Sequence, residues 1–193
     1  FKVPVKSLRQ CRKAPIAFGG ATISYNRTKG RGKWSGLHMC RNISACPICS
    51  AKRRHQKAIE LQDVIDKHTS NGGSVYSINL TIDDFGFSTI KEGLDLLTRS
   101  WRCLISGRRG KTLKEEFGFD GYFRAVEVTF NLDRNSFHPH IHGLLTFDRK
   151  LSQFEGEKVG NMLCKAWTTV VSGQSQGRNK PYVSLQHFAE VYN

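Results

Sequence analysis

The sequence predicts an α+β fold, in which helices cover one face of a central antiparallel sheet and a cysteine-rich segment precedes them. Two observations lead to this prediction. Apolar residues alternate along several short segments, as in strands, and recur every three or four residues along others, as in helices. From residue 74 onwards these segments follow the order β-α-β-β-α-β, which is the ferredoxin-like (RRM-like) split arrangement.

The individual elements follow from local signals. Residues 1–49 are rich in glycine and in basic residues, which indicates short strands and loops. Ser50 is a candidate helix cap, and Asn71-Gly72-Gly73 is a candidate helix end. In chain order, the later predicted elements are a helix over 51–68, a strand over 74–82, a helix over 88–106, a basic loop over 107–111, strands over 121–130 and 137–145, a helix over 152–171, a flexible loop over 173–180, a strand over 182–186, and the start of a helix over 187–193.

Length and charge limit the possible functions. The 193 residues suffice for one domain with a small module, so we expect a zinc-binding segment over 1–50 packed on a domain over 51–193. The chain lacks an initiator Met and stops abruptly, so we expect a fragment of a longer protein. A net charge of +14 favours nucleic acid as a partner, although a ribosomal or membrane-surface role would also explain charge alone. No apolar run of about eighteen residues predicts a membrane span, and we expect a cytosolic protein.

A predicted hairpin brings candidate metal ligands together. In Phe137-His138-Pro139-His140-Ile141-His142 the three histidines alternate, so they share one face of a strand. A polar loop over 131–136 would pair this strand with 121–130, which places Glu127 beside the imidazoles. Carboxylate and imidazole together suit Mn²⁺ or Mg²⁺ with open positions for a substrate. His138 is the weakest of the predicted ligands, because it is also placed to flank the site, and the alternative for all three is an ordinary surface histidine.

Four of the six cysteines form a second candidate metal site. Cys11, Cys40, Cys46 and Cys49 have the spacing C-x28-C-x5-C-x2-C, which in a cytosolic protein favours a structural Zn²⁺ over disulfides. His38 and His55 are alternative fourth ligands if Cys11 lies too far away. A redox C-x-x-C is the competing interpretation, but that motif usually follows a strand and lacks the additional cysteines.

Three stretches, in order, resemble the HUH endonucleases, and in particular the replication initiators (Rep proteins) of bacterial rolling-circle plasmids. They are Gly36-Leu37-His38-Met39-Cys40 through Ala45-Cys46-Pro47-Ile48-Cys49-Ser50-Ala51-Lys52, then Arg124-Ala125-Val126-Glu127-Val128-Thr129, and then Phe137-His138-Pro139-His140-Ile141-His142-Gly143-Leu144-Leu145. The resemblance covers most of the chain. It implies a bacterial cytoplasmic enzyme that nicks and rejoins one strand of a plasmid origin hairpin, with a host helicase as a further partner.

The resemblance also implies a covalent 5′-phosphotyrosine intermediate. Family members place the nucleophilic tyrosine on a helix after the last strand, which points to Tyr192 here, with Glu190 as the candidate for the second step. The chain departs from the family pattern, because some initiators place this glutamate four residues ahead of the tyrosine on the same helix face, whereas Glu190 and Tyr192 are two apart. A tyrosine beyond Asn193 is the alternative nucleophile.

Two basic runs are the predicted contacts with the DNA backbone, and solvated loops are the alternative for each. Their residues are Arg27, Lys29, Arg31, Lys33, Arg108, Arg109 and Lys111. Two other functions remain open: a transposase or relaxase with the same histidine pair, and a non-catalytic zinc-containing module that binds nucleic acid. A metal hydrolase for small molecules fits the charge poorly.

Overall fold

The structure, a computed structural model, describes residues 5–82, 89–133 and 135–191, with the backbone alone for Val5 and Leu185. The chain divides into two compact units, Phe1–Val64 and Ile65–Asn193. We call them the cysteine unit and the sheet unit. The division falls inside a helix that runs over Pro47–Ser70, whereas the sequence predicted a boundary near residue 50.

The cysteine unit contains little regular structure. Its elements are α1 (Val5–Gln10), β1 (Thr22–Asn26), β2 (Arg31–Ser35) and the first part of α2 (Pro47–Ser70). The strands β1 and β2 pair antiparallel, and every residue of both strands is exposed. Apart from this hairpin, the unit packs around three buried cysteines, Cys11, Cys46 and Cys49.

The sheet unit has the predicted topology. Its elements are β3 (Ser74–Thr81), α3 (Ile90–Ile105), α4 (Gly107–Phe117), β4 (Phe119–Asn131), β5 (Ser136–Phe147), α5 (Gln153–Gln174), a 3-10 turn (Val183–Leu185) and β6 (His187–Glu190). The strand order is β4-β5-β3-β6, and all neighbouring strands are antiparallel. This order is that of the split β-α-β-β-α-β arrangement, so the predicted α+β class is confirmed.

The helices cover one face of this sheet and leave the other face available for polar residues. Leu80 and Ile141 are opposite each other on β3 and β5 and are fully buried with Trp101 of α3 and Trp167 of α5. The approach of α3 is close at Gly143, where a Cβ atom would come within 3.3 Å of the Trp101 side chain. Since alternate strand residues point to opposite faces, burial of this apolar set directs its neighbours in sequence to the other face.

Four local predictions are wrong. Helix α2 begins at Pro47 rather than Ala51, because proline suits the first helical position, where no N–H bond is lost. The predicted loop over 107–111 is the start of α4, whose Leu113 and Phe117 are buried in the core. The last strand is His187–Glu190 rather than 182–186, so the helix predicted to begin at His187 is a strand there.

The described helices include none with the length and apolar character that a membrane-spanning segment needs.

Candidate metal centres

The β4–β5 hairpin brings a carboxylate and two imidazoles together on the face away from the helices. Glu127 lies directly opposite His140 in the strand register, and His142 follows two residues later on the same face. The Oε2 atom of Glu127 lies 3.4 Å from Nε2 of His140 and 3.1 Å from Nε2 of His142. Strand alternation and the hairpin register therefore converge three candidate ligand atoms on one point.

The other nitrogen of each imidazole is held by an oxygen acceptor. Nδ1 of His142 lies 2.8 Å from Oδ1 of Asn79, and Nδ1 of His140 lies 3.2 Å from the carbonyl oxygen of His138. A ring nitrogen that faces an oxygen acceptor donates its proton there. The Nε2 atom of each neutral ring then presents a lone pair to Glu127, which is the tautomer that a metal-binding histidine needs.

These residues fit a divalent cation on chemical grounds. Two nitrogen lone pairs that each lie within 3.4 Å of one carboxylate oxygen are repelled by it unless a cation or a proton lies between them. The side chains are graded in exposure, from 14% for His140 to 47% for His142 and 58% for Glu127, so the group opens to solvent on one side. A mixed carboxylate and imidazole set with open positions suits Mn²⁺ or Mg²⁺.

The remaining predicted residues of this site are placed differently. His138 lies outside the group of three candidate ligands, and its carbonyl oxygen faces Nδ1 of His140, so its contact with a metal stays a prediction. Glu190 pairs with Tyr76 on β3, which directs it to the helix-covered face, opposite to Glu127. Residues 187–190 form a strand and not the start of a helix on which the sequence analysis placed Glu190. Tyr192 itself lies outside the described residues.

The four cysteines of the second site converge in the cysteine unit. The sulfurs all lie within 4.8 Å of one another, with Cys11 to Cys49 at 3.5 Å and Cys40 to Cys49 at 3.7 Å. Tetrahedral Zn²⁺ with bonds of about 2.3 Å places its sulfurs about 3.8 Å apart, whereas a disulfide needs about 2.05 Å. The arrangement therefore fits a tetrathiolate zinc site, and none of the six cysteines forms a disulfide.

Backbone pairing explains how cysteines 29 residues apart meet. The N–H of Arg12 donates to the carbonyl of His38 at 2.8 Å, and the N–H of His38 donates to the carbonyl of Ala14 at 2.8 Å. These bonds hold the segments that carry Cys11 and Cys40 side by side. Nε2 of His38 lies 3.1 Å from the Ser7 hydroxyl. Because Cys11 completes the cluster, neither His38 nor His55 is needed as an alternative ligand.

The start of α2 and the burial of the cluster change the pKa values of its thiols. The backbone N–H of Cys49 donates to the Cys46 sulfur and lowers the pKa of Cys46 to about 7, because a helix N-terminus favours negative charge. Burial raises the pKa of Cys40 to about 12 and also raises the pKa of Cys49. Four sulfurs this close together, three of them on buried cysteines, cannot all carry charge without a cation, and Zn²⁺ would supply one.

The predicted DNA-contacting residues lie in both units. Arg27 and Lys29 are in the turn between β1 and β2, while Arg31 and Lys33 are on β2, and all four are exposed. Arg108, Arg109 and Lys111 lie on α4 rather than in a loop, and Nζ of Lys111 is 3.7 Å from a Glu115 carboxylate oxygen.

Two polar residues of the site were missed in the sequence. Asn79 lies directly opposite His142 on β3, and His187 lies opposite Asn79 on β6, so the three form one row across the open face. His187 is exposed, and its place in this row makes it a candidate contact for a bound strand. The polar Asn79 between the buried Ile78 and Leu80 was the available signal, but its partner depends on a register that the sequence does not show.

Comparison with known families decides the relationship. A family described as "Replication protein" matches this chain over residues 31–192, which include both metal centres apart from Cys11. The chain belongs to the replication protein family. The resemblance predicted from the cysteine segment, the Glu127 strand and the histidine strand is thereby confirmed.

Individual relatives agree with this assignment. The chain is 30% identical over 175 residues to "Protein rep" of Streptococcus pneumoniae, which covers 89% of this chain and 52% of that protein. It is 29% identical over 136 residues to "Protein rep" of Streptomyces lividans, covering 57% and 30% respectively. A third, "Protein rep" of Bacillus amyloliquefaciens, is 27% identical over 121 residues, covering 62% and 34%. The chain thus spans between about a third and a half of the length of these relatives.

Proposed function

We propose that this chain is the nicking part of a rolling-circle replication initiator, which cuts one strand of a plasmid origin and stays attached to it. The observation that carries the proposal is the convergence of Glu127, His140 and His142 on an open sheet face, in a chain of the replication protein family. The face is open on the side of His142 and Glu127, and a single DNA strand would bind there.

The residues of the site have distinct roles in this proposal. Glu127, His140 and His142 hold the metal, while Asn79 and the His138 carbonyl fix the two imidazoles in the tautomer that binds it. A divalent cation bound there would polarise the scissile phosphate and offset the charge that develops on it. Because the helices lie on the opposite face of the sheet, they do not block the substrate, and the DNA strand approaches the ligands from solvent.

A tyrosine is the proposed nucleophile, and Tyr192 is the candidate. Tyr76 is buried and Tyr122 lies on the helix-covered face, opposite Leu145, which leaves neither aimed at the metal ligands. The phenolic oxygen, after losing its proton, forms a bond to phosphorus as the bond from phosphorus to the 3′ oxygen breaks. The departing 3′ oxygen takes up a proton, which leaves a 5′-phosphotyrosine and a free 3′-hydroxyl to prime synthesis.

The proposal extends to the setting of the reaction. An exposed origin hairpin in the bacterial cytoplasm would be the substrate, with a host helicase opening the duplex from the nick. Glu190, which projects from the other face of the sheet, is retained only as a candidate for the second step.

Cleavage of a labelled origin hairpin tests the proposal. The zinc-loaded chain is freed of other divalent ions and mixed with the oligonucleotide, with and without Mn²⁺, and a covalent adduct is sought by gel and mass spectrometry. We expect an adduct that requires Mn²⁺, is lost in His142→Ala and Tyr192→Phe, and persists in Tyr182→Phe, since Tyr182 is an exposed tyrosine without an assigned role. An adduct attached to another residue would reject Tyr192, and binding without cleavage across several origins would favour a non-catalytic DNA-binding module.

A further inference from the structure

Positive charge is distributed unevenly along the chain. Residues 1–59 contain 14 of the 30 Lys and Arg residues and no Asp or Glu, so they carry a net charge of +14. Residues 60–193 contain the other 16 basic residues together with all 16 acidic residues, so their net charge is zero. The attraction of the chain for polyanions therefore originates in the segment that forms most of the cysteine unit, and not in the unit that holds the hairpin metal ligands.

Within this segment the β1–β2 hairpin has the shape of a free ribbon. Its strands are five residues each, and all ten residues are exposed. Thr22, Ser24, Asn26, Arg31, Lys33 and Ser35 share one face, and Ile23, Tyr25 and Trp34 share the other, as the register pairs Ser24 with Lys33 and Ile23 with Trp34. A two-stranded hairpin without covering elements is marginally stable in water, so this ribbon has the features of an element that binds an external partner.

The polar face of the ribbon is held in order by its own contacts. The hydroxyls of Thr22 and Ser35 lie 2.7 Å apart across the strands, and the backbone N–H of Lys29 donates to Asn26 Oδ1 at 2.9 Å in the turn. These bonds fix the ribbon while leaving the four cationic side chains of the turn and β2 projecting into solvent. Since no carboxylate occurs anywhere in residues 1–59, the ribbon has no acidic partner within its own segment.

We propose that the β1–β2 ribbon binds duplex DNA through the major groove, with its polar face toward the base edges. The major groove is about 12 Å wide and admits a two-stranded ribbon. Its walls carry regularly spaced phosphates on both sides, which match Arg27 and Lys29 in the turn and Arg31 and Lys33 along β2. This inference rests on the proposed function for the identity of the duplex, which would be the origin DNA beside the nicking hairpin.

Salt-dependent binding of the whole chain to a labelled 20-base-pair duplex tests the inference without any cleavage. In one variant Arg27, Lys29, Arg31 and Lys33 are changed to Gln. In the matched control four exposed basic residues of the sheet unit without an assigned DNA contact, Arg99, Arg102, Lys114 and Lys165, are changed to Gln, which removes the same charge. Anisotropy is measured between 50 and 200 mM salt without Mn²⁺ or Mg²⁺. Zinc content and circular dichroism check that both variants are folded.

We expect the ribbon variant to lose at least about 30-fold in affinity at 100 mM salt, and its log–log salt slope to fall by about 2 to 4, at about 0.9 per phosphate contact. The sheet-unit control should lose less than about 3-fold in affinity. Equal losses in the two variants would overturn the proposal, because charge alone would then explain binding. The same measurement is made on one strand of the duplex alone. A larger loss of affinity for this single strand than for the duplex would also overturn the proposal.

The two proposals fail separately. A chain that forms no adduct but shows the expected duplex losses would contradict the nicking function and leave the ribbon as a duplex-binding element. A chain that forms the adduct but binds duplex equally well after the ribbon substitutions would support the nicking function and contradict the role of the ribbon.

Discussion

The two units of this chain reach a defined structure by different means. The sheet unit buries eighteen apolar side chains in one core, whereas the cysteine unit buries three cysteines and exposes every residue of its hairpin. The sheet unit can therefore be stabilised by apolar burial, while the cysteine unit has a four-sulfur cluster that a metal could cross-link. A segment with net charge +14 would thus remain ordered without an apolar core if a cation held its four thiolates together.

Loss of zinc is the largest effect that this comparison predicts. Cys46→Ser removes one of four sulfurs, and structural zinc sites contribute apparent free energies of about 10 to 16 kcal/mol to folding. We expect the variant to lose stoichiometric zinc and to become sensitive to proteolysis within residues 1–64, while the sheet unit stays resistant. Zinc is measured by a colorimetric chelator and cleavage sites by mass spectrometry.

The matched control is Cys103→Ser, which changes a cysteine outside the cluster. It should retain zinc and the wild-type pattern of proteolysis. Full zinc content in Cys46→Ser would contradict the tetrathiolate site.

Truncation of a side chain in the apolar core should destabilise the sheet unit and leave the cysteine unit folded. Trp167 is fully buried, and its indole N–H donates to the Thr81 carbonyl at 2.6 Å. Trp167→Ala is expected to lower the free energy of unfolding of the sheet unit by about 3 to 5 kcal/mol, with zinc still bound. Urea unfolding, followed together with zinc release, measures both.

Phe154→Ala on the same helix provides the control, because Phe154 is 75% exposed, and it should change the free energy by less than about 0.5 kcal/mol. Simultaneous loss of zinc and of the sheet in Trp167→Ala would show that the two units unfold as one.

Loss of the hydrogen bond that holds the His142 ring should have a smaller effect, which is limited to the affinity for the metal. Asn79→Ala removes the acceptor that holds Nδ1 of His142, so Mn²⁺ affinity should fall about 10- to 100-fold. Ser77→Ala, on the same strand and the same face, should leave the affinity within about 2-fold of wild type. Isothermal titration with Mn²⁺ on zinc-loaded protein measures the difference, and an unchanged affinity in Asn79→Ala would contradict the supporting role.

The smallest effect concerns the start of α5. Arg149 and the Ser152 capping box hold the pKa of Glu155 down to about 2, first through the guanidinium hydrogen bonds and then through the Ser152 N–H. A carboxylate with a lowered pKa adds stability above its unfolded pKa of about 4.5, and this stability is lost as pH falls toward 2. Glu155→Gln should therefore lower the Tm by a few degrees at pH 7 and by less at pH 3.

Thermal unfolding followed by circular dichroism at both pH values measures this change. Glu157→Gln on the next part of the helix is the control, and it should show no such dependence on pH. An equal Tm change at pH 7 and pH 3 in Glu155→Gln would contradict the pKa assignment.

Much of the sheet unit was predictable because its patterns are local. The alternation of 137–142, the polar loop before it and the position of Glu127 together predicted the hairpin, whose register places Glu127 beside His140 and His142. The cysteine spacing likewise predicted the tetrathiolate cluster.

The errors arose where distant contacts decide the structure. Gly107 and Gly110 indicated a loop, but burial of Leu113 and Phe117 makes the segment helical. Residues 187–190 looked like a helix start, yet Phe188 stacks on Tyr76 with ring centroids 4.9 Å apart, which fixes them as a strand on β3. The support of His142 by Asn79 likewise depends on the β3–β5 register, which no local pattern encodes.

In the proposed division of roles the cysteine unit binds duplex DNA and the sheet unit cuts a single strand, and a single-turnover experiment separates the two activities. Affinity and the cleavage rate at saturating protein are measured on one oligonucleotide that joins a duplex to a nicking hairpin, with Mn²⁺ present. The ribbon variant should bind at least about 30-fold more weakly yet cleave at the wild-type rate once saturated, and His142→Ala should bind normally and not cleave. A ribbon variant that cleaves slowly at saturation, or a His142→Ala variant that loses duplex binding, would contradict this division.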